Sequence, residues 1–150
     1  YKEKYKLLFI SSHSSNDEVK VDRFIKKNNL NKNIEFIEPT LDIKKIYELS
    51  SLVINISIRP EGFGRTVSEA LSMSCPVIAP NMGGTKEQLE NFNPKLLFDI
   101  SSFKSFFKAL EYALNNHKGV SKNARNFVKE NYSADLMCKN TLKIYQNLIN

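Results

Sequence analysis

Cysteine and histidine are scarce in this sequence, which contains two residues of each type. The cysteines, Cys75 and Cys138, form neither a Cys-x-x-Cys pair nor a Cys/His cluster, and this spacing argues against a zinc site or a disulfide framework. We therefore expect both to be buried thiols in a reducing cytosol. His13 and His117 have no sequence neighbours that would indicate a metal site or a catalytic triad.

Long apolar runs are also missing, and no stretch resembles a transmembrane helix or a secretion signal. The net charge of +6 is modest and its lysines are dispersed. Without a dense basic block or an RNA-binding motif, nucleic acid is not an expected partner. The length of 150 residues, with 41% hydrophobic and 25% charged residues, predicts a single domain over 1–150. Because the chain begins with Tyr1, we expect it to be part of a longer protein.

Short apolar, β-branched runs alternate with stretches of helical periodicity over the first two thirds of the chain. This alternation predicts an α/β fold with a Rossmann-like, mostly parallel sheet flanked by helices. The predicted strands are 6–11, 34–38, 51–57, 76–80 and 95–99, and the predicted helices between the first of them are 17–29 and 42–49.

The last third of the chain is predicted to be helical. An apolar stripe with helical spacing is expected to pack against the sheet. Its members are Phe103, Phe106, Phe107, Leu110 and Leu114. Further helices are predicted near 121–130 and 133–148.

The most informative segment is 59–87, where Glu61 and Glu69 bracket seven residues. These residues begin with a Gly-Phe-Gly turn and continue as a predicted helix. Such a turn presents free backbone N–H groups and the positive end of the helix dipole, which suit a phosphate. Two flanking carboxylates suit a ligand with hydroxyls on both sides of a diphosphate, as in a nucleotide-sugar.

A capping box would explain the same residues without a ligand. Thr66 would be the N-cap and Glu69 would bond back to it, and Thr85 with Gln88 forms a second such pattern after the glycine pair 83–84. However, two glycine loops after apolar strands are typical of the crevice where open α/β sheets bind ligands. The surroundings therefore favour the ligand hypothesis, with a tight turn as the alternative for the glycine pair.

The residues of this segment resemble the retaining glycosyltransferases of family 4, which have the two-domain GT-B architecture. The resemblance lies in the E-x7-E element, its Pro-Glu-Gly-Phe-Gly-Arg lead-in, the Glu-Ala-Leu-Ser-Met-Ser-Cys-Pro-Val-Ile-Ala run and the Gly-Gly-x-x-Glu ending at Glu87. In weaker form it covers nearly the whole chain, including Tyr145. The chain is similar to the C-terminal, donor-binding half of a GT-B fold.

The resemblance implies roles for individual residues. Glu69 would hold the ribose hydroxyls of the donor nucleotide, and Glu61, the candidate catalytic residue, would contact the donor sugar without acting as a nucleophile. The loop after the strand 34–38 is where relatives seat the base, and a bare turn is the competing interpretation there. The donor-binding candidates besides Glu69 are Gly62, Phe63, Gly64, Arg65, Thr66, Gly83, Gly84, Pro39 and Thr40.

For the whole protein, the resemblance implies sugar transfer from a nucleoside-diphosphate donor, with UDP favoured, to an acceptor glycan or lipid-linked sugar. Retention at the anomeric carbon is implied, without a metal or other cofactor, because helix N-termini and N–H groups would stabilise the leaving diphosphate. The expected setting is bacterial surface glycan synthesis in the cytoplasm, with peripheral contact to the inner membrane.

The chain departs from the family pattern at its beginning. We expect the first strand and helix of the C-terminal domain, with the basic pair that grips the diphosphate, to lie outside it. The N-terminal GT-B domain is also absent, so the chain alone is expected to be inactive. Two alternatives are a non-catalytic nucleotide-sugar-binding or interaction domain, and a GT-B epimerase or hydrolase.

Overall fold

The structure, a computed structural model, describes residues 5–10 and 16–149. The chain divides into two units, Tyr1–Ile43 and Lys44–Asn150. The described strands form one parallel sheet in each unit. The single domain over 1–150 therefore stays a prediction.

The first unit contains a strand–helix–strand motif. Strand β1 (Leu7–Ile10) is followed by helix α1 (Asn16–Lys27) and strand β2 (Ile34–Ile37), and the two strands pair in parallel. A parallel pair needs a crossover connection, which α1 supplies. The rings of Phe9 and Phe36, at paired positions, stack with centroids 5.2 Å apart. The predicted strand–helix unit is confirmed, although residues 11–15 lie outside the described residues.

The second unit has three described strands in the order β3-β4-β5, all parallel. The strands are β3 (Val53–Ile54), β4 (Val77–Pro80) and β5 (Leu97–Phe98). The helices are α2 (Ile43–Leu49), whose first residue belongs to the first unit, α3 (Arg65–Ser72), α4 (Gly83–Phe92), α5 (Phe103–Asn115), α6 (His117–Asn131) and α7 (Ala134–Ile149), with a short 3-10 helix at Pro94–Leu96. The α/β class, the parallel pairing and the helical C-terminus are as the sequence predicts.

The core of the second unit surrounds β4. All four residues of this strand are buried, as expected for a parallel strand that is covered on both faces. Val67 and Leu71 from α3 and Leu89 from α4 are also fully buried. Each such side chain stabilises the fold by about 1.5–3 kcal/mol. Because α3 and α4 are fixed against β4, the loops that precede them have defined positions.

The third strand is shorter than the predicted 51–57. It ends at Ile54 because the Asn55 side chain accepts a hydrogen bond from the Ser57 N–H at 2.9 Å and turns the chain. Ile56 and Ile58 beyond the turn are exposed. The apolar run thus continues past the point where the backbone leaves the sheet.

The apolar stripe of α5 is only partly buried. Phe106 packs edge-on against Phe98 with ring centroids 5.2 Å apart, but Phe103 is 84% exposed, so the prediction that it belongs to the core is wrong. The buried face of α5 instead contains Ala109 and Ala113. Small side chains let a helix approach a sheet closely, and a search for large apolar residues overlooks them.

Helix α7 has no buried residue, and Cys138 on it is exposed, so the prediction of two buried thiols is wrong for this cysteine. Cys75, before β4, is buried as predicted. None of the helices in the described ranges is both long enough and apolar enough to cross a membrane.

Candidate functional site

Helix α3 begins directly after Gly64, whose backbone is in the left-handed region at φ 81° and ψ 59°. Glycine adopts this conformation without steric cost, which explains the residue type at this position. The helix start has no side-chain cap. An uncapped helix N-terminus has N–H groups and a partial positive charge available for an anion.

The alternative interpretation, a capping box at Thr66 and Glu69, does not match the structure. Gly64, and not Thr66, is the N-cap residue of α3, so Thr66 lies within the first turn of the helix and Glu69 lies in the second. The Glu69 carboxylate accepts hydrogen bonds from the Tyr47 hydroxyl on Oε2 and from Arg65 Nη2 on Oε1, each at 3.1 Å. Glu69 therefore needs an explanation other than helix capping.

The two partners of Glu69 differ in their exposure to solvent. Tyr47, on α2, is 8% exposed, and burial together with its hydrogen bond to Glu69 raises its pKa to about 12. The shift extends to higher pH the range in which its hydroxyl is a proton donor. The Arg65 side chain is 85% exposed, and such surface ion pairs contribute about 0–1 kcal/mol. One oxygen of Glu69 is thus bonded to a buried partner and the other to an exposed one.

Glu61 is anchored by a residue that the sequence analysis did not select. Asn55, buried at the end of β3, donates a hydrogen bond from Nδ2 to Glu61 Oε1 at 2.9 Å. The Asn55 backbone N–H also bonds to the Ile78 carbonyl at 2.9 Å, so the side chain starts from a fixed point on the sheet. The sequence feature that could have indicated Asn55 is its position as a polar residue within an otherwise apolar, strand-like run.

The glycine pair at 83–84 packs closely against the backbone of the first loop. Gly83 has φ 55°, and a Cβ atom there would lie 2.6 Å from the Glu61 carbonyl oxygen. A Cβ atom at Gly84 would lie 2.6 Å from the Cα atom of Phe63, and the Gly84 N–H donates to the Glu61 carbonyl at 2.8 Å. The structure brings the two glycine loops together, and the role of the pair in donor binding stays a prediction.

The second predicted capping box, at Thr85 and Gln88, is also wrong. Helix α4 begins at Gly83, and the Thr85 hydroxyl lies 2.8 Å from the carbonyls of Pro80 and Met82. The Gln88 side chain donates instead to the carbonyls of Phe63 and Gly64. These bonds tie the α3 loop to α4.

The remaining candidates of the second unit lie at the surface or partly buried. A Cβ atom at Gly62 would have no neighbouring atom within 4 Å, and Thr66 is half-buried. Phe63 is 44% exposed and its ring meets Tyr132 edge-on at 5.6 Å. The three candidates Gly62, Phe63 and Thr66 lie in the short stretch around the start of α3.

Pro39 and Thr40 belong to the first unit and are exposed in the loop after β2. The Thr40 hydroxyl accepts a hydrogen bond from the Asp42 N–H at 3.1 Å, a local turn contact. Their role as a seat for the base stays a prediction. Within the described ranges, no group of three or more His, Cys, Asp or Glu could hold a metal ion.

A family model described as "Glycosyl transferases group 1" matches residues 1–133. The chain belongs to this family. The O-antigen biosynthesis glycosyltransferase WclY of Escherichia coli is 24% identical over 144 residues, which are 96% of this chain and 40% of that protein. The group 1 chain thus spans less than half of this relative.

Solved structures have the same fold as this group 1 chain. A glycosyltransferase from Rickettsia africae superposes with a TM-score of 0.84 at 26% identity, over 98% of this chain and 41% of that one. The Anabaena protein Alr3699/HepE, solved in complex with UDP, gives a TM-score of 0.83 at 19% identity, over 95% of this chain and 41% of that one. The fold is that of the C-terminal half of a GT-B glycosyltransferase.

Proposed function

We propose that this chain binds the nucleoside-diphosphate sugar donor of a retaining glycosyltransferase. The observation that carries the proposal is the environment of Glu69. Its carboxylate does not cap α3 but is held by Tyr47 and Arg65 beside an uncapped helix start. A carboxylate in this position can accept hydrogen bonds from ribose hydroxyls, while the N–H groups of the helix start contact the diphosphate.

The second carboxylate has the complementary role in this proposal. Glu61 contacts the donor sugar and stabilises positive charge that develops on its ring, and it is not a nucleophile. The buried Asn55 orients it. Arg65, whose side chain is 85% exposed, leaves Glu69 and contacts the diphosphate, whose negative charge it offsets. The charge on the leaving group is then stabilised without a metal ion.

The comparisons support UDP as the donor nucleotide and a surface glycan as the product. The Anabaena protein was solved with UDP and with UDP-glucose, and the Escherichia coli relative is named for O-antigen biosynthesis. We propose a cytoplasmic enzyme that contacts the inner membrane peripherally and transfers to a glycan or a lipid-linked sugar. Since the relatives are more than twice as long, an N-terminal GT-B domain supplies the acceptor site, and the chain alone is inactive.

The test is a nucleotide titration of the full-length protein that carries this chain. Ligand-observed NMR with UDP, GDP, ADP and their sugars identifies the base, and a radiolabelled-donor assay separates transfer from binding alone and from donor hydrolysis. Glu69→Gln should weaken nucleotide binding about tenfold or more. Glu90→Gln, at an exposed position of α4, is the matched control. A folded Glu69→Gln variant with unchanged affinity would contradict the proposal.

A further inference from the structure

We propose that Tyr47 is a positioning residue that fixes Glu69 for ribose recognition and thereby sets the preference for ribonucleotide over 2′-deoxyribonucleotide donors. This inference rests on the proposed function, in which Glu69 accepts from the ribose. Tyr47 lies 22 residues before Glu69 in a different helix, so no local sequence pattern predicts the contact.

The position of Tyr47 is fixed by its surroundings. Its ring is buried, and the C-terminal end of α2 is tied to the start of β4, because the Cys75 thiol lies 3.3 Å from the Ser50 carbonyl. The Val53 N–H, just after this contact, bonds to the Pro76 carbonyl at 2.8 Å. The Tyr47 hydroxyl is therefore a donor at a defined place, whereas the Glu69 side chain has three rotatable bonds.

The two oxygens of Glu69 have different availability. The hydroxyl of the buried Tyr47 donates to Oε2, and the guanidinium of Arg65, whose side chain is 85% exposed, donates to Oε1. When a diphosphate attracts Arg65, Oε1 becomes free for a ribose hydroxyl. Oε2 stays bonded, and because a carboxylate oxygen can accept more than one hydrogen bond, it is still able to accept a second one. The bond from Tyr47 to Oε2 thus limits the orientations of the Glu69 carboxylate before the nucleotide arrives.

A purely structural role for Tyr47 makes a different prediction. If Tyr47 only packs against the core, loss of its hydroxyl weakens all nucleotides equally. If it orients Glu69, the loss falls on the interaction with the ribose hydroxyls alone. The ratio of the affinities for UDP and 2′-deoxy-UDP separates the two roles, since it is insensitive to a uniform loss of binding.

The experiment measures Kd for UDP and 2′-deoxy-UDP by titration calorimetry on the full-length wild type, Tyr47→Phe and Glu69→Gln. We expect Tyr47→Phe to reduce the preference for UDP about fivefold or more, while the Kd for 2′-deoxy-UDP changes less than about twofold. Tyr112→Phe is the matched control, because it removes a hydroxyl on α5 that accepts a hydrogen bond from Asn93 and not one that bonds to Glu69. It should leave the preference unchanged.

The two proposals fail in distinguishable ways. If the wild type shows no preference, or Glu69→Gln keeps it, the ribose role of Glu69 is wrong and the positioning role falls with it. If Glu69→Gln removes the preference and Tyr47→Phe retains it, only the positioning role is wrong. An equal loss for both nucleotides in Tyr47→Phe also overturns the positioning role.

Discussion

Gly84→Ala should destabilise the fold more than a glycine substitution usually does. The added Cβ atom would lie 2.6 Å from the Cα atom of Phe63, and its other close neighbours are backbone atoms of the same residue. Backbone cannot rotate away as a side chain can. The α3 loop must retreat by about 1 Å to restore ordinary contact.

The magnitude follows from two contributions. Overpacking of a tight contact costs about 1–3 kcal/mol, and retreat of the loop stretches the bond from the Gly84 N–H to the Glu61 carbonyl, which contributes about 1 kcal/mol. Because Gly84 lies within α4, the helix preference of alanine offsets about 0.5–1 kcal/mol of these costs. We expect the free energy of unfolding to fall by about 2 kcal/mol, and for a chain of this size the melting temperature should fall by roughly 4–8 °C.

Chemical denaturation followed by circular dichroism measures this change, with two glycine variants as controls. Gly62→Ala adds a Cβ atom to open space and should change the free energy by less than about 0.5 kcal/mol. Gly119→Ala, also in open space but within α6, should stabilise the fold by about 0.5–1 kcal/mol. If Gly84→Ala is as stable as Gly62→Ala, the close approach of the two loops is wrong.

Three further predictions concern titration, thiol reactivity and the anchor of Glu61. Burial raises the pKa of Cys75 from 9.0 to about 11, and the pKa of Tyr47 rises from 10.0 to about 12. Folding favours the neutral form of both groups, so their contribution to the free energy of unfolding is complete below pH 9 and should be lost between pH 9 and 12. Thermal unfolding as a function of pH measures this loss. Cys75→Ala should remove the loss of stability between pH 9 and 11. In the native protein a maleimide should label the exposed Cys138 and spare Cys75 until denaturant is added, and mass spectrometry of the labelled peptides checks this. Asn55→Asp places a second carboxylate against Glu61. It should lower the transfer rate of the full-length protein about tenfold or more, while the affinity for UDP stays unchanged. An unaltered transfer rate would contradict the role of Glu61.

Local and periodic features of the fold were predictable from the sequence. The β-branched run at β4 is buried along its whole length, as a central parallel strand should be. The Gly-Phe-Gly turn leads into a helix, and Gly64 has the positive φ that favours glycine. These features depend on a few consecutive residues, so the local sequence is enough to predict them.

The contacts that define the candidate site were not predictable in the same way. Both Thr-x-x-Glu/Gln patterns match a capping box, yet Glu69 and Gln88 bond to residues 22 and 25 positions away. Whether a carboxylate or amide caps its own helix depends on competing partners that tertiary structure brings close. Tyr47 and Asn55 were overlooked for the same reason, because their importance comes from what they touch.

The anchors of the two glutamates share a property that bears on function. Asn55 and Tyr47 are both neutral, buried donors. A neutral donor orients a carboxylate without cancelling its charge, whereas a buried cation would do both. The one cation at either glutamate, among the contacts described, is the exposed Arg65, which a diphosphate can draw away. The negative charges of Glu61 and Glu69 thus remain available to a ligand. If the two glutamates served only to stabilise the fold, their charges would not need to stay available.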